Sequence, residues 1–376
     1  MKNKVILISS FSPSLINFRG DLINDFLAKG YDVLCIGPDE NTDVISSLNS
    51  IGVRYKRIAF KRNGVSVLSD LILLFKLIYI FKTEKPDVVL SYTIKPLIYG
   101  SISAYFTNVK TRISLVTGLG YSFAQSEGNR TDTLLKTISK FLYKLGVRSS
   151  THVLFQNPDD RNLLLKLKFV SEGNSVVTNG SGINLEKFCS SSLPPILPVR
   201  FLMISRLIKE KGVLYFIDAA KLLKEKYLTQ VEFDLVGWSD NEKNSISSEY
   251  INEVASGGIV NFHGKLNDVR SVINDCSVFV LPSYYPEGTP RTILEAMSMG
   301  RAIITTDSVG CRETVINEYN GFLIEPKNTQ DLISKMELFI SHTDSIRSMG
   351  ESSLSLAAEK FDVSKVNKSI FDFCGL

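Results

Sequence analysis

Apolar residues come along this chain in short unbroken runs separated by longer amphipathic stretches. Val5-Ile6-Leu7-Ile8, Val33-Leu34-Cys35-Ile36, Val88-Val89-Leu90 and Val278-Phe279-Val280-Leu281 carry no polar alternation. That is the pattern of strands buried on both faces of a parallel sheet. It predicts strands over 4–9, 31–37, 53–59, 87–92, 112–116, 151–155 and 174–178. Between them lie helical patterns over 16–29, 43–52, 66–83, 96–106, 131–147 and 158–169. A Ser/Pro-rich stretch, Ser190 to Pro198, then reads as a linker. Alternation resumes with strands over 199–204, 231–236, 259–262, 277–281 and 302–305. The second set of helices covers 211–227, 246–255, 267–274, 290–299 and 328–340, followed by a polar helical tail. The class is α/β, with two doubly wound halves whose ligands belong at the carboxyl ends of the strands, in a cleft between the facing sheets. The expected domains are 1–190, a linker over 191–198, 199–355, and a C-terminal helix over 356–376 packing back on the first domain.

Length agrees, since 376 residues exceed one ordinary core. Composition narrows the class: 44% apolar and 22% charged residues describe a water-soluble globular protein. Cys35, Cys189, Cys276, Cys311 and Cys374 are scattered with no Cys-x-x-Cys pair, so they read as reduced thiols of a cytosolic protein. With only His152, His263 and His342 as well, no metal site is expected. The N-terminal apolar run is too short for a signal peptide and has no cleavage-like sequel. Net charge is +4, unevenly placed: residues 1–190 hold 24 Lys and Arg against 15 Asp and Glu, and the remainder is net −5. A basic first half suggests an anionic partner there.

The densest candidate chemistry is Pro286-Glu287-Gly288-Thr289-Pro290-Arg291-Thr292-Ile293-Leu294-Glu295-Ala296-Met297. It runs from a turn after the 277–281 strand into a helix, so Glu287 precedes the helix and Glu295 lies one turn inside it. Two carboxylates so placed can hold two hydroxyl-bearing parts of one ligand. Backbone N–H groups at the helix start, from Thr289, Arg291 and Thr292, attract anions, whereas Pro290 has no N–H to offer. Directly after strand 199–204, Ser205-Arg206-Leu207-Ile208-Lys209-Glu210-Lys211-Gly212 places Arg206 and Lys211 on a strand-to-helix loop, where cations can neutralise a diphosphate. His263-Gly264 follows strand 259–262, and Asp307 to Glu313 follows strand 302–305. In the first half, Phe11–Arg19, Tyr92-Thr93-Ile94-Lys95-Pro96 and Val116-Thr117-Gly118-Leu119-Gly120-Tyr121 each follow a strand. Lys95 would sit at the mouth of a helix, and two glycines would let backbone approach a ligand.

The Glu-Gly-Thr-Pro-x4-Leu-Glu-Ala stretch resembles the Glu-x7-Glu motif of retaining glycosyltransferases of family 4, which have the GT-B fold, and Arg206 to Gly212 resembles that family's Arg-x4-Lys-Gly motif. The resemblance covers nearly the whole chain. It implies two Rossmann-like domains about a central cleft, acceptor on the first and nucleotide-sugar donor on the second. It implies that Arg206 and Lys211 stabilise the leaving nucleoside diphosphate in place of a metal, and that no cofactor is needed. Glu287 would contact donor hydroxyls near the anomeric carbon, Glu295 the ribose, Gly288, Thr289, Arg291 and Thr292 the diphosphate, and His263-Gly264 the nucleobase. The Asp307–Glu313 segment resembles the family's Gly-x-x-Glu loop, shaping the sugar pocket. Many relatives carry Gly-Gly after the first strand; Ser9-Ser10 stands here, a departure at the loop that usually makes a diphosphate contact. Some carry a His near Thr117, so no His general base is indicated. Arg19, Lys95, Thr117 and Gly118 are the acceptor-side candidates. The Thr-Ile-Lys-Pro and Thr-Gly-Leu-Gly pair resembles transferases building bacterial lipid-linked O-antigen and capsule repeats. The implied reaction moves a sugar, N-acetylgalactosamine favoured and galactose, glucose, N-acetylglucosamine or fucose the alternatives, from a UDP-sugar to a polyprenyl-diphosphate-linked saccharide at the inner face of the cytoplasmic membrane.

Two helices bear on that location. Residues 66–82 are very apolar, but Asp70 and Lys76 interrupt them and Lys61, Arg62 and Lys82 flank them, so they do not read as a span. Residues 131–148 put Lys136, Lys140, Lys144 and Arg148 at four-residue steps, with Leu134, Ile138, Phe141, Leu142 and Leu145 on the other face. That pattern suits an anionic membrane surface, or else a core face and a solvated face. A GT-B epimerase would need acid/base groups that the scarcity of His disfavours. A dinucleotide oxidoreductase would need a Gly-x-Gly-x-x-Gly that residues 9–20 lack. A non-catalytic nucleotide-sugar binder would lack Glu287 or Arg206. Nothing points to nucleic acid.

Overall fold

The computed structural model describes residues 2–60, 67–120, 123, 130–239 and 244–376, with side chains at all of these but 67 and 130–135. Lys61, Arg62, Tyr121 and the side chain of Leu134 therefore lie outside the described residues. The chain forms two compact units, Met1–Ser181 together with Val363–Leu376, and Gly182–Asp362.

In the first unit the strands are β1 (Lys4–Ile8), β2 (Asp32–Gly37), β3 (Arg54–Arg57), β4 (Val88–Tyr92), β5 (Thr111–Val116), β6 (His152–Phe155) and β7 (Ser175–Val177). They make one seven-stranded sheet in the order β3-β2-β1-β4-β5-β6-β7. The described pairings are all parallel, with Ile6 opposite Leu34 and Val89. Successive side chains leave opposite faces of a strand, so each run feeds two cores. Ile6, Ile8, Leu34, Ile36 and Val89 pack with Leu73, Leu77, Ile98 and Tyr143. Val5, Leu7, Val33, Cys35 and Leu90 pack instead with Ile23, Phe26, Leu48, Ile370 and Phe371. Burial in that second core pushes the Cys35 thiol well above its ordinary range.

The helix expected over 16–29 is broken into Pro13–Asn17 and Gly20–Ala28. Arg19 leaves helical geometry at φ −125°, ψ 0°. The first piece is anchored to the sheet: Ser14 Oγ lies 2.8 Å from Ser9 Oγ and 2.9 Å from Tyr92 Oη, tying the loop after β1 to the end of β4.

The second unit repeats the plan with β8 (Val199–Arg206), β9 (Val231–Trp238), β10 (Asn261–Phe262), β11 (Val278–Leu281), β12 (Ala302–Thr306) and β13 (Gly321–Ile324). Their order is β10-β9-β8-β11-β12-β13. Both sheets thus place later strands on either side of the first, the doubly wound order that creates a ligand crevice at the carboxyl ends.

The units divide at 181/182 and 362/363, not at 190 and 355. Residues 183–190 belong to the second unit because Ile183 and Phe188 are buried in its core. The supposed linker is held there too. Arg301, fully buried, donates to the carbonyls of Ile273 (2.9 Å), Asn274 (3.0 Å) and Ser192 (3.2 Å) and to Ser191 Oγ (2.7 Å). A buried guanidinium must fill its donors, and these carbonyls do so. At the other end Leu356, Ala357 and Phe361 also lie in the second core. The helix Val363–Cys374 joins the first unit, where Asn367 donates to Asp25 at 2.7 Å and Phe371 meets the Phe26 ring at 4.9 Å.

Candidate active site

The chemistry of the second unit gathers where β8 and β11 end. β8 runs on to Arg206, two residues further than its apolar pattern. A short 3-10 turn, Lys209–Lys211, follows and ends on Gly212 at φ +82°. A Cβ at Gly212 would stand 2.1 Å from the Pro282 carbonyl, so only glycine lets these loops touch. The Glu210 carbonyl accepts from the N–H groups of Tyr284 (2.9 Å) and Tyr285 (3.1 Å), locking the loop after β11 onto the loop after β8. On its other side that loop meets the turn after β12. A Cβ at Gly310, φ +77°, would stand 2.1 Å from Gly288 O and 2.8 Å from Glu287 O.

Three residues from two loops are thereby brought together. Lys211 Nζ pairs with Glu287 Oε1, and both side chains are nearly buried. Ser283 Oγ donates to the same oxygen at 3.1 Å. The Arg206 guanidinium lies 5.7 Å, and the Lys211 ammonium 5.6 Å, from the centre of the Tyr285 ring. An aromatic face attracts cations, so Tyr285 organises the two positive groups around itself. Sequence reasoning missed Tyr285 and Ser283; the signal available was an aromatic and a hydroxyl in the four residues ahead of Glu287. Burial, reinforced by the charge of Glu287, pushes the nearby Cys311 thiol up to about 11, which keeps it protonated and inert.

Glu295 sits in the helix Arg291–Ser298, almost buried, and accepts from Arg291 Nε at 3.0 Å. Burial raises its pKa and the Arg291 charge opposes the rise. Gly288 and Thr289 follow Glu287 in the loop, Thr289 buried, and Thr292 is half-buried in the first helical turn. His263 lies at the end of β10, two strands from β8, and its Nε2 meets Asp234 Oδ1 at 2.7 Å. Gly264 accepts from Gly237 N–H at 2.9 Å, tying that loop to the end of β9. Glu313 is paired with Lys360 at 3.1 Å.

The acceptor-side candidates all lie past the carboxyl ends of adjacent strands β1, β4 and β5, but not equivalently. Arg19 is buried, with its guanidinium 5.2 Å from the Tyr92 ring centre. Lys95, expected at an open helix mouth, is buried instead, its ammonium 2.8 Å from Asp70 Oδ1, and Tyr99 Oη donates to the other Asp70 oxygen at 3.1 Å. A lysine cannot be left charged in an apolar core, and Asp70, in the first turn of the helix Val67–Glu84, supplies its partner. Thr117 and Gly118 are half-buried directly after β5, with Gly118 at φ +107°. Among the described residues no group of three or more His, Cys, Asp or Glu could hold a metal.

The chain's relatives carry the same organisation. Residues 4–157 match the family model described as glycosyl transferase 4-like, and residues 197–354 match glycosyl transferases group 1. An N,N'-diacetylbacillosaminyl-diphospho-undecaprenol alpha-1,3-N-acetylgalactosaminyltransferase of Campylobacter jejuni is 29% identical over 90% of this chain and 89% of its own. A UDP-Gal:alpha-D-GlcNAc-diphosphoundecaprenol alpha-1,3-galactosyltransferase of Escherichia coli is 28% identical over 73% and 71%. Among solved structures, Anabaena HepE in complex with UDP superposes over the full length of both chains with TM-score 0.75 at 18% identity. The sucrose-phosphate synthase of Thermosynechococcus elongatus gives TM-score 0.80, also at 18% identity, over 99% of this chain and 98% of that one. With a glycosyl transferase 4-like half followed by a group 1 half, each a Rossmann-like unit, the chain belongs to the glycosyltransferases of GT-B fold.

Proposed function

We propose that this glycosyltransferase moves N-acetylgalactosamine from UDP-N-acetylgalactosamine to a saccharide carried on polyprenyl diphosphate, with retention of anomeric configuration, in surface-polysaccharide synthesis. The observation that carries the reading is the convergence of Arg206, Lys211 and Glu287 around Tyr285. Two cations beside one aromatic ring, one of them paired with a carboxylate, match a donor whose diphosphate and sugar hydroxyls are neighbours. The choice of sugar and lipid rests on the Campylobacter jejuni and Escherichia coli relatives.

In this reaction the bond from the anomeric carbon to the UDP oxygen breaks, and a bond from that carbon to the acceptor oxygen forms on the same face. Charge develops on the departing diphosphate. Arg206 and Lys211 stabilise it where it appears, which is worth about 3–4 kcal/mol for a single well-placed donor. The acceptor proton passes to the departing phosphate oxygen, so no protein nucleophile is required and no metal step is written. Arg291 and Glu295 hold each other at the helix start, where the ribose and phosphates would lie.

The acceptor lipid places the enzyme at the inner membrane face. The helix Val67–Glu84 supports this, because Leu68, Leu71, Ile72, Phe75 and Tyr79 form an exposed row, Leu68 at 73% and Tyr79 at 67%. On the helix Arg130–Arg148, Ile138, Phe141 and Leu145 are exposed as well, while Tyr143 and Val147 carry the packing. Of the apolar row beside Lys136, Lys140 and Lys144, Ile138, Phe141 and Leu145 therefore face away from the core, whereas Leu142 packs against it. Among the described residues no helix is long and apolar enough to cross a membrane, and such rows with flanking lysines suit an anionic lipid surface. The test is transfer from labelled UDP-sugars to polyprenyl-diphosphate-linked acceptors. Native protein should use UDP-N-acetylgalactosamine and give an α-linked product, and folded Glu287→Ala should be inactive. Transfer from a different nucleotide sugar, or by that variant, would refute the assignment.

A further inference from the structure

The Lys211–Glu287 pair has a consequence for which ligand the site prefers. Both groups sit in closely packed, hydrogen-bonded backbone. Gly212 presses on Pro282, the Glu210 carbonyl is bonded to Tyr284 and Tyr285, and Gly310 presses on Glu287 and Gly288. What can change on ligand binding is the pairing of the side chains. A nucleoside diphosphate arriving alone must draw the Lys211 ammonium from the Glu287 carboxylate, and it brings its own negative charge beside that carboxylate. A nucleoside diphosphate that carries a sugar brings hydroxyl donors as well, and these satisfy the Glu287 oxygens as Lys211 turns to the phosphates.

We infer that the Lys211–Glu287 ion pair is a discriminator: it opposes binding of the spent nucleoside diphosphate and is relieved by the sugar of the intact donor, so that product leaves and donor is retained. Glu287 is thus a specificity-determining group for the loaded over the unloaded nucleotide, in addition to its contact with the sugar, and Ser283 and Tyr285 are positioning residues that hold the pair in place. This rests on the donor-site reading above. Because two ligands of the same site differ only in the sugar, the coupling between diphosphate and sugar recognition is a free-energy difference that affinity measurements read directly.

The experiment is calorimetric titration of UDP and of UDP-N-acetylgalactosamine into native protein, Glu287→Gln, Lys211→Met and the double variant, with a thermal melt of each to establish folding. Glu287→Gln keeps the shape and removes the charge. It should bind UDP roughly fivefold or more tighter than native protein, while its preference for the intact donor falls by at least as much. In the Lys211→Met background the gain in UDP affinity should shrink by more than half. Unchanged or weaker UDP binding by folded Glu287→Gln overturns the inference. So does a gain of equal size in both backgrounds, which would reduce the effect to repulsion between carboxylate and phosphate. Failure of native protein to bind either ligand overturns the donor site itself, an outcome separate from these two.

Discussion

Gly310→Ala should damage both stability and catalysis, and for one structural reason. Gly310 lies at φ +77°, where a residue with a Cβ pays about 1–2 kcal/mol. The new Cβ would also stand 2.1 Å from Gly288 O and 2.8 Å from Glu287 O. Neither neighbour is the tip of a flexible side chain; both are backbone, so the loop must move, at a further cost of about 1–3 kcal/mol. The sum, roughly 2–5 kcal/mol, corresponds to a fall of about 4–20 °C in melting temperature for a unit of this size. Gly258 supplies the control, since at φ +69° it has nothing within 4 Å of a Cβ, and Gly258→Ala bears only the backbone cost. The displaced loop carries Glu287, and a misplacement of about 1 Å can lower kcat/KM roughly a hundredfold. Scanning calorimetry and donor-saturation kinetics on the two variants decide the matter. If Gly310→Ala melts with Gly258→Ala and keeps native kcat/KM, the packing of the β12 turn on the Glu287 loop has no role in the site.

Arg206→Ala should lower kcat about 10²–10³-fold with the protein still folded, and a change in KM alone would remove Arg206 from leaving-group stabilisation. Asp70→Asn leaves Lys95 charged and buried, which should destabilise the first unit by about 3–5 kcal/mol in denaturant titration; a variant as stable as native would show that the pair is not a buried one in solution. Serine at Phe75, Tyr79 and Phe141 together should cut sedimentation with anionic vesicles at least about tenfold without lowering the melting temperature, since those rings are exposed; equal sedimentation would end the surface reading. Asp160 is buried, and burial raises its carboxyl to about 7 in the folded chain. The native state then holds a proton that the unfolded chain releases, so native stability falls between about pH 4 and pH 7. Asp160→Asn should flatten that fall and stabilise the protein at pH 8, by at most about 4 kcal/mol, while changing little at pH 4. Parallel stability–pH curves would refute the assignment.

The elements themselves were legible in the chain. Unbroken apolar runs fall on β1, β2, β4, β8 and β11, and β8–β9–β11–β12 follow their patterns to within two residues. The donor motifs were legible because each is contiguous: Arg206 to Gly212 on one loop, Glu287 to Glu295 across one helix entry. Where the chain changes unit was not legible. Composition marked 191–198 as a linker, yet Arg301, more than a hundred residues later, holds Ser191 and Ser192 with a guanidinium that burial forces to find acceptors. Nor could periodicity orient the 130–148 helix, since an apolar row at helical spacing faces core or solvent according to what lies beside it. Here Gly146, pressed against the Ile98 backbone, turns Tyr143 and Val147 inward and Phe141 outward.

What the sequence by itself determined is local: which segments are strands, which are helices, and which loops carry charge fit for a nucleotide sugar. Only the tertiary structure decided the pairings, Lys211 with Glu287, Lys95 with Asp70 and His263 with Asp234. Those partners stand 76, 25 and 29 residues apart. A buried charge takes whichever opposite charge the packed strands bring within reach, and strand order, not spacing along the chain, sets that reach.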